Sequence, residues 1–132
     1  MYKYGKKSRE RLATCDPRLQ EIFNEVIKVM DISILCGHRS EEEQQKAFNN
    51  GNSKLQYPNS KHNSTPSIAI DVAPWNGGID WENYKSFYFL GGLALGIADQ
   101  KGIKLRWGGD WNRNGKFDDQ TFDDLVHFEI VE

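Results

Sequence analysis

Three histidines, His38, His62 and His127, are the only imidazoles in the 132 residues, and two of them sit beside residues suited to metal chemistry. His62 lies in the polar run Ser60-Lys61-His62. His127 lies in the apolar run Leu125-Val126-His127-Phe128. Asp71 follows Ile68-Ala69-Ile70, which puts a carboxylate within or at the end of a buried strand. Burying a lone carboxylate is costly unless a cation compensates it. Two imidazoles and one carboxylate suit zinc, and three protein ligands with an open fourth position form the catalytic arrangement. The alternative for each histidine is a hydrogen-bonded core residue, and for Asp71 a cap or a turn. Spacing along the chain does not choose between them.

A second set of oxygen side chains has its own spacing. Asp110, Asn112, Asn114 and Asp118 occupy positions 1, 3, 5 and 9 of an EF-hand-type loop, with Gly115 at position 6 and the Lys116 carbonyl at position 7. Position 12, where a bidentate Glu belongs, is Thr121, and Asp118 or Asp119 would have to complete a calcium shell. The alternative is an Asn/Gly-rich turn.

These residues need elements to carry them. Asp16-Pro17 starts a helix, with Asp as N-cap and Pro first in the helix. Leu19, Ile22, Phe23, Val26, Ile27 and Met30 continue it as one apolar stripe. Ile32 to Cys36 reads as a strand. Ser40 with Glu43 forms a capping box that opens a second helix through about Phe48. Asn49 to Pro66 reads as a loop and Ser67 to Val72 as a buried strand. Asp80 is expected to cap a third helix ending near Gly102. Ile103 to Trp107 and Val126 to Val131 complete the strands. Helices and strands mix without regular alternation, so the fold class is α+β, a small antiparallel sheet flanked by about three helices.

Length points to a single domain over 1–132 with a core large enough to need no disulfides. Cys15 and Cys36 form no CxxC pair and read as reduced, partly buried thiols. A net charge of -2 gives no electrostatic reason to expect nucleic acid. No run approaches the length of apolar sequence that spans a bilayer. The basic N-terminus lacks a following apolar region, so the expectation is synthesis in a cytoplasm without a signal peptide, and a monomer.

Several separated motifs, in order, carry a resemblance. Ser60-Lys61-His62, Pro66 to Pro74 with Asp71, and Asp124-Leu125-Val126-His127-Phe128-Glu129 resemble the zinc signature of the D-alanyl-D-alanine and L-alanyl-D-glutamate metallopeptidases. That group also includes the lysostaphin-type enzymes and the hedgehog signalling domain. Gly37-His38-Arg39-Ser40, Gln44 and Trp107-Gly108-Gly109-Asp110 extend the similarity over nearly the whole chain, and it is greatest to small phage members that act as endolysins. The resemblance implies a hedgehog/DD-peptidase-like fold, a zinc ion held by His62, Asp71 and His127, and bacterial peptidoglycan peptide as the substrate. It also implies Asp124, three residues before the last histidine, as general base and acid, with Asp123 as the competing carboxylate. Arg39 takes the role of holding the scissile carbonyl oxygen or a substrate carboxylate. Its alternative is a surface arginine, poorly placed against the dipole of the helix it precedes. Many relatives have Tyr at the place of His38, so His38 is not read as a ligand.

Between His62 and Asp71 the chain has a longer interval than many members, and the surplus falls in the turn-prone Asn63-Ser64-Thr65-Pro66. Glu129 shares a strand face with His127 and either orients that ligand or pairs with a basic residue. Some phage peptidases similar to this chain are calcium-regulated through a loop like Asp110–Asp118, which implies that calcium orders the segment before Asp124. The leading expectation is an L-alanyl-D-glutamate endopeptidase of the endolysin type. A D-alanyl-D-alanine carboxypeptidase is the alternative within the same chemistry. A zinc-structured wall-binding module without turnover is the alternative of another class, and the presence of both Asp124 and Arg39 weighs against it.

Overall fold

A computed structural model describes residues 2–118 and 123–132. Its centre is a four-stranded antiparallel sheet of β1 (Ile32–Cys36), β2 (Ala69–Pro74), β3 (Leu105–Gly108) and β4 (Asp124–Ile130). The order across the sheet is β1-β2-β4-β3. The helices are α1 (Lys6–Leu12), α2 (Pro17–Val26), α3 (Glu41–Asn49) and α4 (Tyr84–Gln100), and a 3-10 turn covers Lys61–Asn63.

Local chemistry sets the helix starts. Asp16 accepts the Arg18 amide ahead of Pro17, and Leu19, Ile22, Phe23 and Val26 are buried from one face of α2. Each such side chain contributes about 1.5–3 kcal/mol on burial. Ser40 and Glu43 form both hydrogen bonds of the capping box at the start of α3. α3 buries only Gln44, so this helix serves the site more than the core. α4 is capped by Asn83, whose side chain accepts the Ser86 amide. This corrects the expected Asp80 cap: the Asp80 carboxylate instead accepts the Glu82 amide in the preceding turn. The apolar cluster runs from Leu12 through α2 and α4 to Trp107, Phe128 and Ile130 on the sheet.

Two further departures follow from tertiary contacts. α1 was not expected, because Leu12 is its only buried apolar residue. It is held through polar contacts to β1: Ile34 donates its amide to Ser8 Oγ at 3.0 Å, and Arg11 donates to the Ile34 carbonyl at 3.0 Å. β4 begins at Asp124 rather than Val126, pairing Asp124 with Gly108. A Cβ at Gly108 would collide with the Asp124 carbonyl, so glycine permits that approach.

Candidate metal centre

Asp71 and His127 are cross-strand partners on β2 and β4, so their side chains share one face of the sheet. His62 reaches the same point from the 3-10 turn, which Ser60 caps by accepting the His62 amide. His62 Nε2 lies 3.2 Å and His127 Nδ1 3.3 Å from the same oxygen of Asp71. The two rings meet at 5.3 Å between centroids. Ligand atoms from all three residues lie within 4.8 Å of one another. The longer interval between His62 and Asp71 is absorbed locally. Ser64 Oγ donates to the Pro66 carbonyl and accepts the Ile68 amide, and His62 still meets Asp71.

The outer nitrogen of each ring is already committed. His62 Nδ1 donates to the Gly37 carbonyl at 2.8 Å, and His127 Nε2 donates to Glu129 Oε1 at 2.8 Å. The inner nitrogens therefore face a carboxylate, which is how imidazoles are presented to a cation. Charge follows the same logic. Burial pushes the His62 pKa down, but the hydrogen bond and charge of Asp71 outweigh it and lift the value to about 10. His127 rises to about 8 for the same reasons, with Glu129 adding to Asp71. Burial opposes ionisation of Asp71, yet the two imidazoles hold its carboxyl well below the usual range. Two nitrogens and a carboxylate oxygen that compensate one another only by sharing protons fit a divalent metal.

Glu129 does both things expected of it. Besides orienting His127 it pairs with Lys61 Nζ at 2.9 Å and with its cross-strand neighbour Arg106 at 3.4 Å. Lys61 immediately precedes His62, so one carboxylate ties together the segments that carry both imidazoles. Burial works against its charge, but these partners bring its pKa to about 2.

Arg39 belongs to the same cleft. Its guanidinium donates to Gln44 Oε1 at 2.9 Å and lies 3.6 Å from the second Asp71 oxygen. Its backbone amide donates to the His62 carbonyl, and Asn63 returns a bond to the Arg39 carbonyl. Gln44, fully buried, also donates to Ser53 and to the Leu55 carbonyl, so it fixes Arg39 and the far wall of the cleft together.

The cleft has a volume of about 510 Å³, and Asp124 and Asp123 stand at its edge. Asp124 is the more buried of the two. Burial raises its pKa first, and the negative charge of Asp71 raises it further against the pull of His127, His62 and Arg39. His38 stays outside the cluster, facing the Ser64 carbonyl at 2.9 Å.

Sequence reasoning missed Trp111, whose ring packs at 5.4 Å from His127, and Lys61. Only the adjacency of Lys61 to His62 hinted at the latter. In the Asp110 loop, Asp110 accepts the amides of Asn114 and Gly115, and Asn114 Oδ1 accepts the Lys116 amide. Gly115 has φ +77°. Asn112 and Asp118 are exposed. Asp119, one of the two residues expected to complete a calcium shell, and Thr121, at the position where a Glu belongs, lie outside the described residues.

Comparison with known proteins agrees with this geometry. Residues 1–131 match the model of a family described as phage L-alanyl-D-glutamate peptidase. The L-alanyl-D-glutamate peptidase of Escherichia phage T5 is 35% identical over 137 residues, covering 98% of each chain. The crystal structure of the L-Ala D-Glu endopeptidase ChiX of Serratia marcescens superposes with a TM-score of 0.75 at 22% identity, over 98% of this chain and 90% of that one, a likeness of fold.

Proposed function

Since the chain belongs to the phage L-alanyl-D-glutamate peptidase family, we propose that it is a zinc-dependent endopeptidase that cuts between L-alanine and D-glutamate in peptidoglycan stem peptides. The observation that carries this reading is the convergence of His62, Asp71 and His127, with both outer ring nitrogens hydrogen-bonded away from the carboxylate. When bound there, zinc supplies Lewis acidity and brings the pKa of water down to about 7.

The chain's own residues do the rest. Asp124 accepts a proton from the attacking water and returns it to the leaving amine as the C–N bond breaks. Its raised pKa suits a group that must both take and give a proton. Arg39, held by Gln44, offers N–H groups to the carbonyl oxygen as that oxygen gains charge. Such electrostatic help is strongest when the donor is already fixed in place. Glu129 keeps the His127 ring turned so that Nδ1 points inward.

An endopeptidase is favoured over a carboxypeptidase by the shape of the cleft. A second groove shares Asp123 and Asp124 with the metal cleft, which leaves room for a chain that runs on past the cut. No helix of the described residues is long and apolar enough to cross a membrane. We place its action on the wall after release from a host cytoplasm. A second cation at the Asp110 loop is supported by oxygen spacing and by the left-handed Gly115. Calorimetric titration of calcium into zinc-loaded protein tests it: heat of binding with one site is expected, and no heat rejects the site.

Digesting purified wall and identifying the new termini tests the main proposal. New N-terminal D-glutamate is expected. Release of free D-alanine would make the enzyme a carboxypeptidase, and zinc binding without any new terminus would leave a binding module.

A further inference from the structure

A second groove of about 580 Å³ is lined in part by Asp124 and by no basic residue. Trp81, Tyr84, Phe87 and Tyr88 wall it on one side, and the start of β4 walls it on the other. It shares Asp123 and Asp124 with the metal cleft and no other lining residue, so the two spaces meet at the proposed proton carrier. Trp81 and Tyr84 are 55% and 60% exposed, although Phe87 beneath them is buried. The indole stacks on Phe87 at 5.8 Å and 21°, which fixes the direction its outer face presents. The core gains little from leaving two large rings in water beside the site, and rimmed apolar surface of this kind marks a binding face.

The chemistry of the lining selects the occupant. Aromatic faces carry negative charge and attract the slightly positive C–H face of a sugar ring. Carboxylates at the rim accept hydrogen bonds from hydroxyls. The same carboxylates would repel an anionic lipid surface. Polarity across the cut agrees. The metal cleft, unlike the groove, has basic side chains in its lining: Arg39, Lys54 and Lys61, with Lys61 paired to Glu129 and Arg39 beside Asp71. A stem peptide has matching asymmetry: its D-glutamate side carries a free carboxylate, while the amine of its L-alanine is acylated by a lactyl group on an N-acetylated hexosamine. Only one residue separates that sugar from the scissile bond.

We propose that the Trp81–Tyr84 groove is a subsite for the N-acetylated sugar that bears the stem peptide. The enzyme thereby reads glycan on one side of the cut and the glutamate carboxylate on the other. This inference rests on the endopeptidase reading above.

The test compares two substrates with zinc-loaded enzyme: a stem peptide capped by acetyl at its L-alanine, and the same peptide attached to N-acetylmuramic acid. Wild type should show a kcat/KM ratio of about ten or more in favour of the sugar-bearing substrate, carried mainly by KM. In Trp81→Ala and in Tyr84→Ser the ratio should fall toward one. Tyr84→Ser is the safer variant for folding, because that ring is the more exposed. Equal kcat/KM for the two substrates in wild type overturns the subsite, as does a ratio unchanged in both variants. Failure of wild type to cut either substrate sinks the peptidase reading itself, and the subsite falls with it.

Discussion

At the residue scale, the central feature is that each imidazole is held by its outer nitrogen. Removing the hydrogen-bonded carboxylate next to His127 should therefore weaken the metal site without dismantling the fold. For Glu129→Gln the expected result is a metal affinity lower by about 10–100-fold, measured by chelator competition. Glu129 also sets a pH dependence. Its folded pKa of about 2 lies below its ordinary value of 4.5. Its hydrogen bond with His127 and its ion pair with Lys61 therefore stabilise the protein above about pH 4.5, and that stability is lost as pH falls toward 2. A melting series over that range should slope less in Glu129→Gln than in wild type. Asp124→Asn should lower turnover by about 10²–10⁴-fold with the metal still bound, as read by parallel assays of activity and metal content. In the metal-free protein His62 and His127 are lifted to about 10 and about 8. Protonated rings must lose protons to bind an ion, so metal binding at pH 7 should release protons and tighten as pH rises. Calorimetry in buffers of different ionisation enthalpy measures the count, and no release would contradict the arrangement. The ligand types were legible in the sequence. Their convergence was not, because it depends on the β2–β4 register, which brings Asp71 opposite His127, and on a 3-10 turn hidden in a polar loop.

At the element scale, the position of Asp124 depends on a chain of packing. Gly91 on α4 lies against the Trp107 ring, where a Cβ would intrude. Trp107 in turn donates its indole N–H to the Leu125 carbonyl at 2.9 Å, holding β4 beside Asp124. Gly91→Ala should cost about 1–3 kcal/mol through overpacking, visible as a lower Tm. It should also lower kcat more than metal affinity, since it shifts Asp124 rather than the ligands. α2 was legible because its cap and apolar periodicity agree, and α3 because Ser40 and Glu43 spell out a capping box. α1 was not, because its place is set by Ser8 and Arg11 bonding to β1, which no periodic pattern records. The α4 cap was misread for a related reason: Asp80 and Asn83 are both good capping residues, and only the path of the turn decides which one reaches the helix.

At the scale of the whole molecule, the ion is expected to act as a staple between the 3-10 turn, β2 and β4. Saturating zinc at about 100 times its Kd should add about 2.7 kcal/mol to stability, and a chelator should remove it reversibly. The overall α+β class could be read from the order of elements. The sheet order β1-β2-β4-β3 could not, because the strand that carries His127 is last in the chain yet lies inside the sheet. The most direct test of the whole account is a crystal structure of the zinc-loaded protein with anomalous scattering at the metal edge. It should show one ion bonded by His62 Nε2, one Asp71 oxygen and His127 Nδ1 at about 2.0–2.2 Å, with solvent in the remaining position. An ion bound elsewhere, or one contacting fewer than these three side chains, would contradict it.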